Sequence, residues 1–257
     1  KDGAGFASAS DAGLSAGTIT PLGASVGTKQ GFSIVKFHGN QTGGATVPHG
    51  LSQTPDFTIV KQLTGTDESW RVKHRDIAST KTLYLNQSRE ELSNTEYISG
   101  ADSTTITLST GLAGINADAD YIMYAWHNVP GLQKFGKYVG TGFDSNNKEP
   151  FIELGFRPKL IWIKSTTLAH NWVVFDSERG TINPVDEMLF LNESNAEAAV
   201  DSGDTNTGNL NFDILSNGFK LRTANWSVNK GSSDTYIYCA WAEAPTVNLY
   251  GGSSNAR

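Results

Sequence analysis

The sequence carries one series of landmarks twice. In the first half PDFTIVK (Pro55–Lys61) is followed by a polar loop, Trp70, LYLN (Leu83–Asn86) and YIMYAW (Tyr121–Trp126). In the second half RPKLIWIK (Arg157–Lys164) is followed by a polar loop, Trp172, LFLN (Leu189–Asn192) and YIYCAW (Tyr236–Trp241). Pro55 to Pro158 and Lys61 to Lys164 are both 103 residues apart, and Trp70 to Trp172 is 102. Leu83 to Leu189 is 106 and Trp126 to Trp241 is 115. Spacings that grow only across polar stretches place the insertions in loops and keep the apolar segments in order. An internal duplication of this period predicts two similar domains, 31–130 and 131–245, and a C-terminal tail at 246–257.

The repeated segments are short and rich in Ile, Val, Thr, Tyr, Phe and Trp. FSIVKF (Phe32–Phe37), TTITLS (Thr104–Ser109), GFKLRT (Gly218–Thr223) and TYIYCAW (Thr235–Trp241) have the same texture, with Gly, Asn, Asp and Ser between them. That is the pattern of many short strands joined by turns. No segment of eleven or more residues carries a 3.6-residue apolar stripe, and the best helical candidate, Ser88–Leu92, is a single turn. The fold class is therefore all-β. In PDFTIVK and RPKLIWIK both faces are largely apolar, as they are in YIMYAW and YIYCAW, which predicts strands covered on both sides. Without helices the cover is another sheet, so each half is read as a β-sandwich, jelly-roll-like in character. The second face could instead be covered by the sister repeat or by a neighbouring subunit. Residues 1–30, rich in Gly, Ala, Ser and Thr with scattered single hydrophobes, read as a linker or the extended end of a preceding domain.

Composition removes several function classes. Six Trp, eight Tyr and twelve Phe supply enough apolar surface to exclude a disordered chain. Formal charge is −6 and no Lys/Arg run occurs, which argues against a nucleic-acid partner. Apolar runs reach four to six residues, far below the ~20 that span a bilayer as a helix, so no membrane insertion is expected. The lone Cys239 excludes an internal disulfide framework and a Cys-based zinc site. No signal peptide is recognisable, and a start at Lys1 rather than Met predicts a piece of something longer.

Candidate chemistry is sparse. His38, His49, His74, His127 and His170 show no metal-ligand spacing, and structural or surface roles are their default. No nucleophile elbow, P-loop or dinucleotide fingerprint is present, and Cys239 among apolar neighbours reads as an inert buried thiol. A glycosidase-type carboxylate pair could come from Asp176 with Glu178, Asp186 with Glu187, or Glu90 with Glu91. On one strand Asp176 and Glu178 would share a face about 7 Å apart, with Arg179 offering an ordinary ion pair. Asp201–Asn209 and Asn116–Asp120 hold oxygen ligands of the kind Ca²⁺ takes, yet neither matches a twelve-residue calcium loop. No cofactor is otherwise indicated. The loop Asn225–Asp234 places Trp226 among Asn225, Asn229 and Lys230. An exposed Trp flanked by amides can stack on a sugar ring while the amides bind its hydroxyls; packing into the end of the sandwich is the alternative.

In this order, GFSIVKFHGN, GLSQTPDFTIVK, GFRPKLIWIK, WVVFDSER, NPVDEMLFLN, SNGFKLR and TYIYCAWAEAP resemble a duplicated β-domain of tailed-bacteriophage virion proteins of tail-fibre and tailspike type, found in marine and cyanobacterial phages. The resemblance covers about 31–245, and NLYGGSSNAR is similar to the C-terminal ends of such proteins, which implies that the true C-terminus is present. It implies a non-enzymatic, extracellular component of the virion tail that attaches to the host surface by multivalent contacts. The implied partners are further copies of the chain (a trimer by analogy), other virion proteins, and a host surface polysaccharide or outer-membrane protein. It supplies no catalytic residues. The first repeat departs from the pattern: Trp70–Arg75 is more basic, and the NPVD turn is missing. A polysaccharide-degrading tailspike, a secreted carbohydrate-binding module and a head fibre or decoration protein are the rival readings.

Overall fold

The computed structural model describes residues 1–66, 68–94, 96–142, 149–185, 187–199, 212–222 and 224–243. Every regular element among them is a β-strand, and every pairing is antiparallel. The chain divides into two compact units, one of Lys1–Leu85 and Glu91–Val129, the other of Asn86–Glu90 and Pro130–Arg257.

In the first unit, one sheet runs in the order β1 (Pro21–Gly27), β2 (Phe32–His38), β10 (Asp120–Trp126), β4 (Phe57–Gln62), β5 (Arg71–His74), β6 (Lys81–Tyr84) and β7 (Leu92–Ser93). A second sheet has the order β3 (Thr46–Pro48), β9 (Thr105–Leu108) and β8 (Ile98–Ala101). In the second unit the large sheet runs β11 (Gln133–Val139), β19 (Thr235–Ala242), β13 (Pro158–Ser165), β14 (Val173–Asp176), β15 (Glu187–Phe190) and β16 (Ala198–Ala199). Its small sheet is β12 (Phe151–Glu153), β18 (Gly218–Leu221) and β17 (Phe212–Leu215). Apart from β1, the two units have the same strand order in both sheets.

Burial follows from the pleat. Register pairs Met123 of β10 with Val35 on one side and Val60 on the other, so all three side chains share one face. They pack with Phe37 and Tyr121 against Val47, Ile98, Ile106 and Leu108 from the small sheet. The second unit does the same with Ile161, Ile163, Phe175, Tyr236 and Tyr238 against Ile152, Phe212, Ile214, Phe219 and Leu221. Each such side chain contributes about 1.5–3 kcal/mol by leaving water, and two apolar faces in contact make the sandwich. On the face of the large sheet away from this core lie aromatic rows. In the first unit Trp126 stacks between Phe32 at 4.7 Å and Phe57 at 5.4 Å. In the second, Trp241 meets Phe135 at 5.7 Å and Trp162 at 4.9 Å. Two-sided burial describes β4 and the middle of β19, whereas β10 alternates, with Ile122, Tyr124 and Trp126 only half-buried.

The first thirty residues are not a linker. β1 pairs with β2 along its length, Ile19 enters the main core, and Leu14 and Val26 pack with Leu51 and Ala125. Composition concealed this because PLGASVG joins the sheet through its backbone, which small residues serve as well as large ones. Deleting residues 1–27 removes Leu14, Ile19 and Val26 and leaves β2 as a bare edge. The expected loss is about 5 kcal/mol in the first unit, read as a lower denaturant midpoint; an unchanged midpoint would restore the linker reading.

Candidate functional site

The loop from β18 to β19 is built by its own amides. Asn225 Oδ1 accepts from Ser227 N (2.9 Å), and the Asn225 carbonyl accepts from Val228 N (3.0 Å) and Asn229 N (2.6 Å). Asn229 is wholly buried: its Oδ1 accepts from Thr141 N (2.7 Å) and Gly142 N (3.3 Å), and its Nδ2 donates to the Gly142 carbonyl (3.2 Å). The Tyr236 hydroxyl donates to the Trp226 carbonyl and accepts from Lys230 N, both at 2.9 Å, and burial pushes its pKa up to about 12. Asn225 and Asn229 therefore act as fasteners of the loop, with their side-chain oxygens already held by backbone N–H groups. Trp226 and Lys230 remain half-buried, with the Lys230 ammonium 4.0 Å from the centre of the Trp226 ring and His170 edge-on at 6.4 Å. That face of the indole already holds a cation.

Asp176 and Glu178 are also occupied. Asp176 and Glu178 do not share a strand face, since β14 ends at Asp176 and its Oδ1 caps a turn by accepting from Glu178 N and Arg179 N. Asp176 pairs with Arg179 at 2.8 Å, Arg179 with Glu197 at 2.9 Å, and Glu178 with Lys159. Glu187 lies on β15, while Asp186 falls outside the described residues. Glu90 and Glu91 fall in different units.

Two other segments were candidates for calcium. Asp201–Asn209 lies outside the described residues. Within Asn116–Asp120, the Asn116 amide bonds to Asn40 and the Thr42 carbonyl, and Asp118 and Asp120 hold the two ring nitrogens of His38 at 2.9 and 2.8 Å. These bonds to Asp120 and Asp118 raise the His38 pKa. Among the described residues no group of three or more His, Cys, Asp or Glu is placed to hold a metal ion. His49 is buried, with Nδ1 accepting from Leu51 N and Nε2 facing the Asp102 carbonyl, and burial lowers its pKa.

Two features have no motif in the sequence. One is a cleft of about 350 Å³ in the first unit, where Trp70, Tyr124 and Ile122 lie beside Lys61 and Gln62. Trp70 had served only as a landmark of the repeat, although aromatic faces next to polar side chains suit a sugar ring. The other is Lys164, wholly buried on β13, whose ammonium donates to the carbonyls of Ser165 (2.6 Å) and Leu168 (3.3 Å).

Two sandwiches on one chain, with polar loops and clefts at their surfaces, define an all-β protein. The chain belongs to the family described as a domain of unknown function, DUF7483, whose profile matches residues 4–245. No curated protein and no solved structure matches it.

Two predictions follow from the anchors. Asn229→Ala strips three hydrogen bonds from a dry site and is expected to destabilise the second unit by about 2 kcal/mol, measured by denaturant unfolding. Burial lowers the Lys164 pKa from 10.5 to about 7, against the opposing influence of Glu90. Between those values the unfolded chain binds more protons, so the second unit gains stability as pH rises, at up to about 1.4 kcal/mol per pH unit. Lys164→Met should flatten that rise when midpoints are compared at pH 7 and pH 9.

Proposed function

We propose that the chain is a non-enzymatic virion component of a tailed bacteriophage, a tail-fibre or receptor-binding segment that attaches to the host surface. The motif resemblance over 31–245 supports the virion setting. The observation that carries attachment is the cleft of Trp70, Tyr124 and Ile122 beside Lys61 and Gln62, since aromatic faces bind sugar rings and adjacent polar groups select among them. Weak contacts of this kind gain strength when several copies engage one surface together, which fits a homo-oligomer, a trimer by analogy with fibres, joined to other virion proteins. The receptor is then a surface polysaccharide, with an outer-membrane protein as the other choice. The cation partners of Asp176 and Glu178 weigh against a polysaccharide-degrading tailspike built on that pair.

The test is binding of the fluorescently labelled chain to intact bacteria, with its mass in solution measured alongside. Saturable binding is expected, competed by purified surface polysaccharide and weakened about tenfold by Trp70→Ala. Trp226→Ala is expected to change it little, because Lys230 already covers that ring. Absence of saturable binding by a folded oligomer would make the chain a spacer or decoration element.

A further inference from the structure

The two units share a strand order but differ at one place between their sheets. In the second unit Ile161 of β13 pairs with Phe175 of β14, and Phe175 stacks on Phe212 of β17 at 4.3 Å between ring centres. A strap then closes the edge of β17: Val185 exchanges backbone hydrogen bonds with Phe212 (2.7 and 3.2 Å), and the Asn183 side chain exchanges two with Ile214, both at 2.9 Å. The space between the sheets is filled with rings, and its rim is tied down.

In the first unit the equivalent register pairs Thr58 of β4 with Lys73 of β5. Ile98 of β8 stands where Phe212 stands, each opposite the last residue of its partner strand, Leu108 or Leu221. The connection from β5 to β6 spans only 75–80, against 177–186 for the one that carries the strap. The strap's Asn-Pro-Val sequence is absent there. What remains between the sheets is a cleft of about 570 Å³, within the range of small-ligand sites. Lys73 lines it, with Arg75 and Asp56 as a charged lip, and Thr58 and Ile98, each only 2% exposed, form its buried floor.

The polar groups are fixed in place. Asp56 pairs with Arg75 at 2.6 Å through one oxygen and accepts Asn128 N at 2.6 Å through the other. The Lys73 ammonium donates to the carbonyls of Ile77 (3.0 Å) and Ala78, which leaves one of its three N–H groups beyond those two bonds. Of the charged side chains that line the cleft two are cations and one a carboxylate, Asp56, which Arg75 already holds, and Glu91 acts on Lys73 from nearby. Burial holds the Lys73 pKa down at about 8 against the opposing influence of Glu91, so the half-buried ammonium still gains from a further anion beside it.

We propose that this cleft binds an acidic saccharide, with the sugar's carboxylate or sulfate against Lys73 and Arg75 and its hydroxyls at Asp56, above a floor closed by Thr58 and Ile98. The attachment reading supplies the source of that sugar, a polysaccharide of the host surface; the cleft and its charge stand apart from that reading.

The experiment is calorimetry of the full chain with trigalacturonate, an oligoguluronate, N-acetylneuraminate and a sulfated chondroitin disaccharide, and with maltotriose as the neutral control. At least one acidic member is expected to bind at least tenfold more tightly than maltotriose. Lys73→Met should weaken that binding tenfold or more, and Arg75→Gln, a lip change that leaves the core intact, about tenfold. Ile98→Phe, which places the second unit's residue in the cleft, should block it. Binding of no acidic sugar at millimolar concentration, or equal binding by folded Arg75→Gln and Ile98→Phe chains, overturns the proposal. If the chain binds cells and the Lys73→Met and Ile98→Phe chains bind them equally, attachment stands and this cleft is not its site. If acidic sugars bind in the cleft while cells are ignored, the cleft stands and the attachment reading falls.

Discussion

In each unit the strand that comes last among the described residues lies inside the large sheet, between two neighbours. β10 is hydrogen-bonded to β2 on one side and β4 on the other, and β19 stands in the same way between β11 and β13. Asp120 reaches back 82 residues to His38. Neither core closes before that insertion, because Tyr121 and Met123, or Tyr236 and Tyr238, are the side chains that join the two halves of the sheet. Such long-range pairing makes folding slow and cooperative, since loop-closure entropy is spent before the contacts that offset it can form.

With that frame held in common, the units diverge where β5 and β14 face the small sheets. Val173 and Phe175 fill the second unit; Arg71 and Lys73 occupy the same register in the first. Arg71 is buried and fully engaged: Glu96 and Glu68 pair with its guanidinium, which also donates to the carbonyls of Gly114 (3.0 Å), Ser69 and Glu96 (both 3.2 Å). Gly114 is constrained in turn, with φ of +65° and an added Cβ that would lie 2.2 Å from the guanidinium. A buried cation with one partner removed is costly, so Arg71 locks a particular loop arrangement more than it adds net stability. One unit has a dry interior and the other a charged opening.

Much of the sandwich was legible in the sequence because hydrophobic patterning reports which residues must leave water. The short apolar runs FSIVKF, DFTIVK and KLIWIK, bounded by turn residues, placed those strands, and the repeated landmarks followed their order. β1 was not legible, since Gly, Ala and Ser join a sheet through backbone groups that every residue carries. The loop at Trp226 illustrates the same limit: Asn225 and Asn229 look like ligand groups in a string of letters, and only the positions of Ser227 for the first and of Thr141 and Gly142 for the second reveal that they are fasteners. The more basic strand from Trp70 to Arg75 and the missing NPVD were visible as departures from the second repeat. Their consequence, an open space between sheets, needed the register of Lys73 against Thr58 and of Ile98 against Leu108.

Cys239 sits on β19 with no exposed surface, and burial raises its thiol pKa well above the ordinary value. It is the chain's one sulfhydryl. While β19 is in place the sulfur can neither ionise readily nor meet an oxidant, so neighbouring copies cannot become covalently cross-linked through it. A modifying reagent gains access only when the middle of the second sheet opens, which makes the rate of alkylation a clock for that opening, built into the unmodified chain.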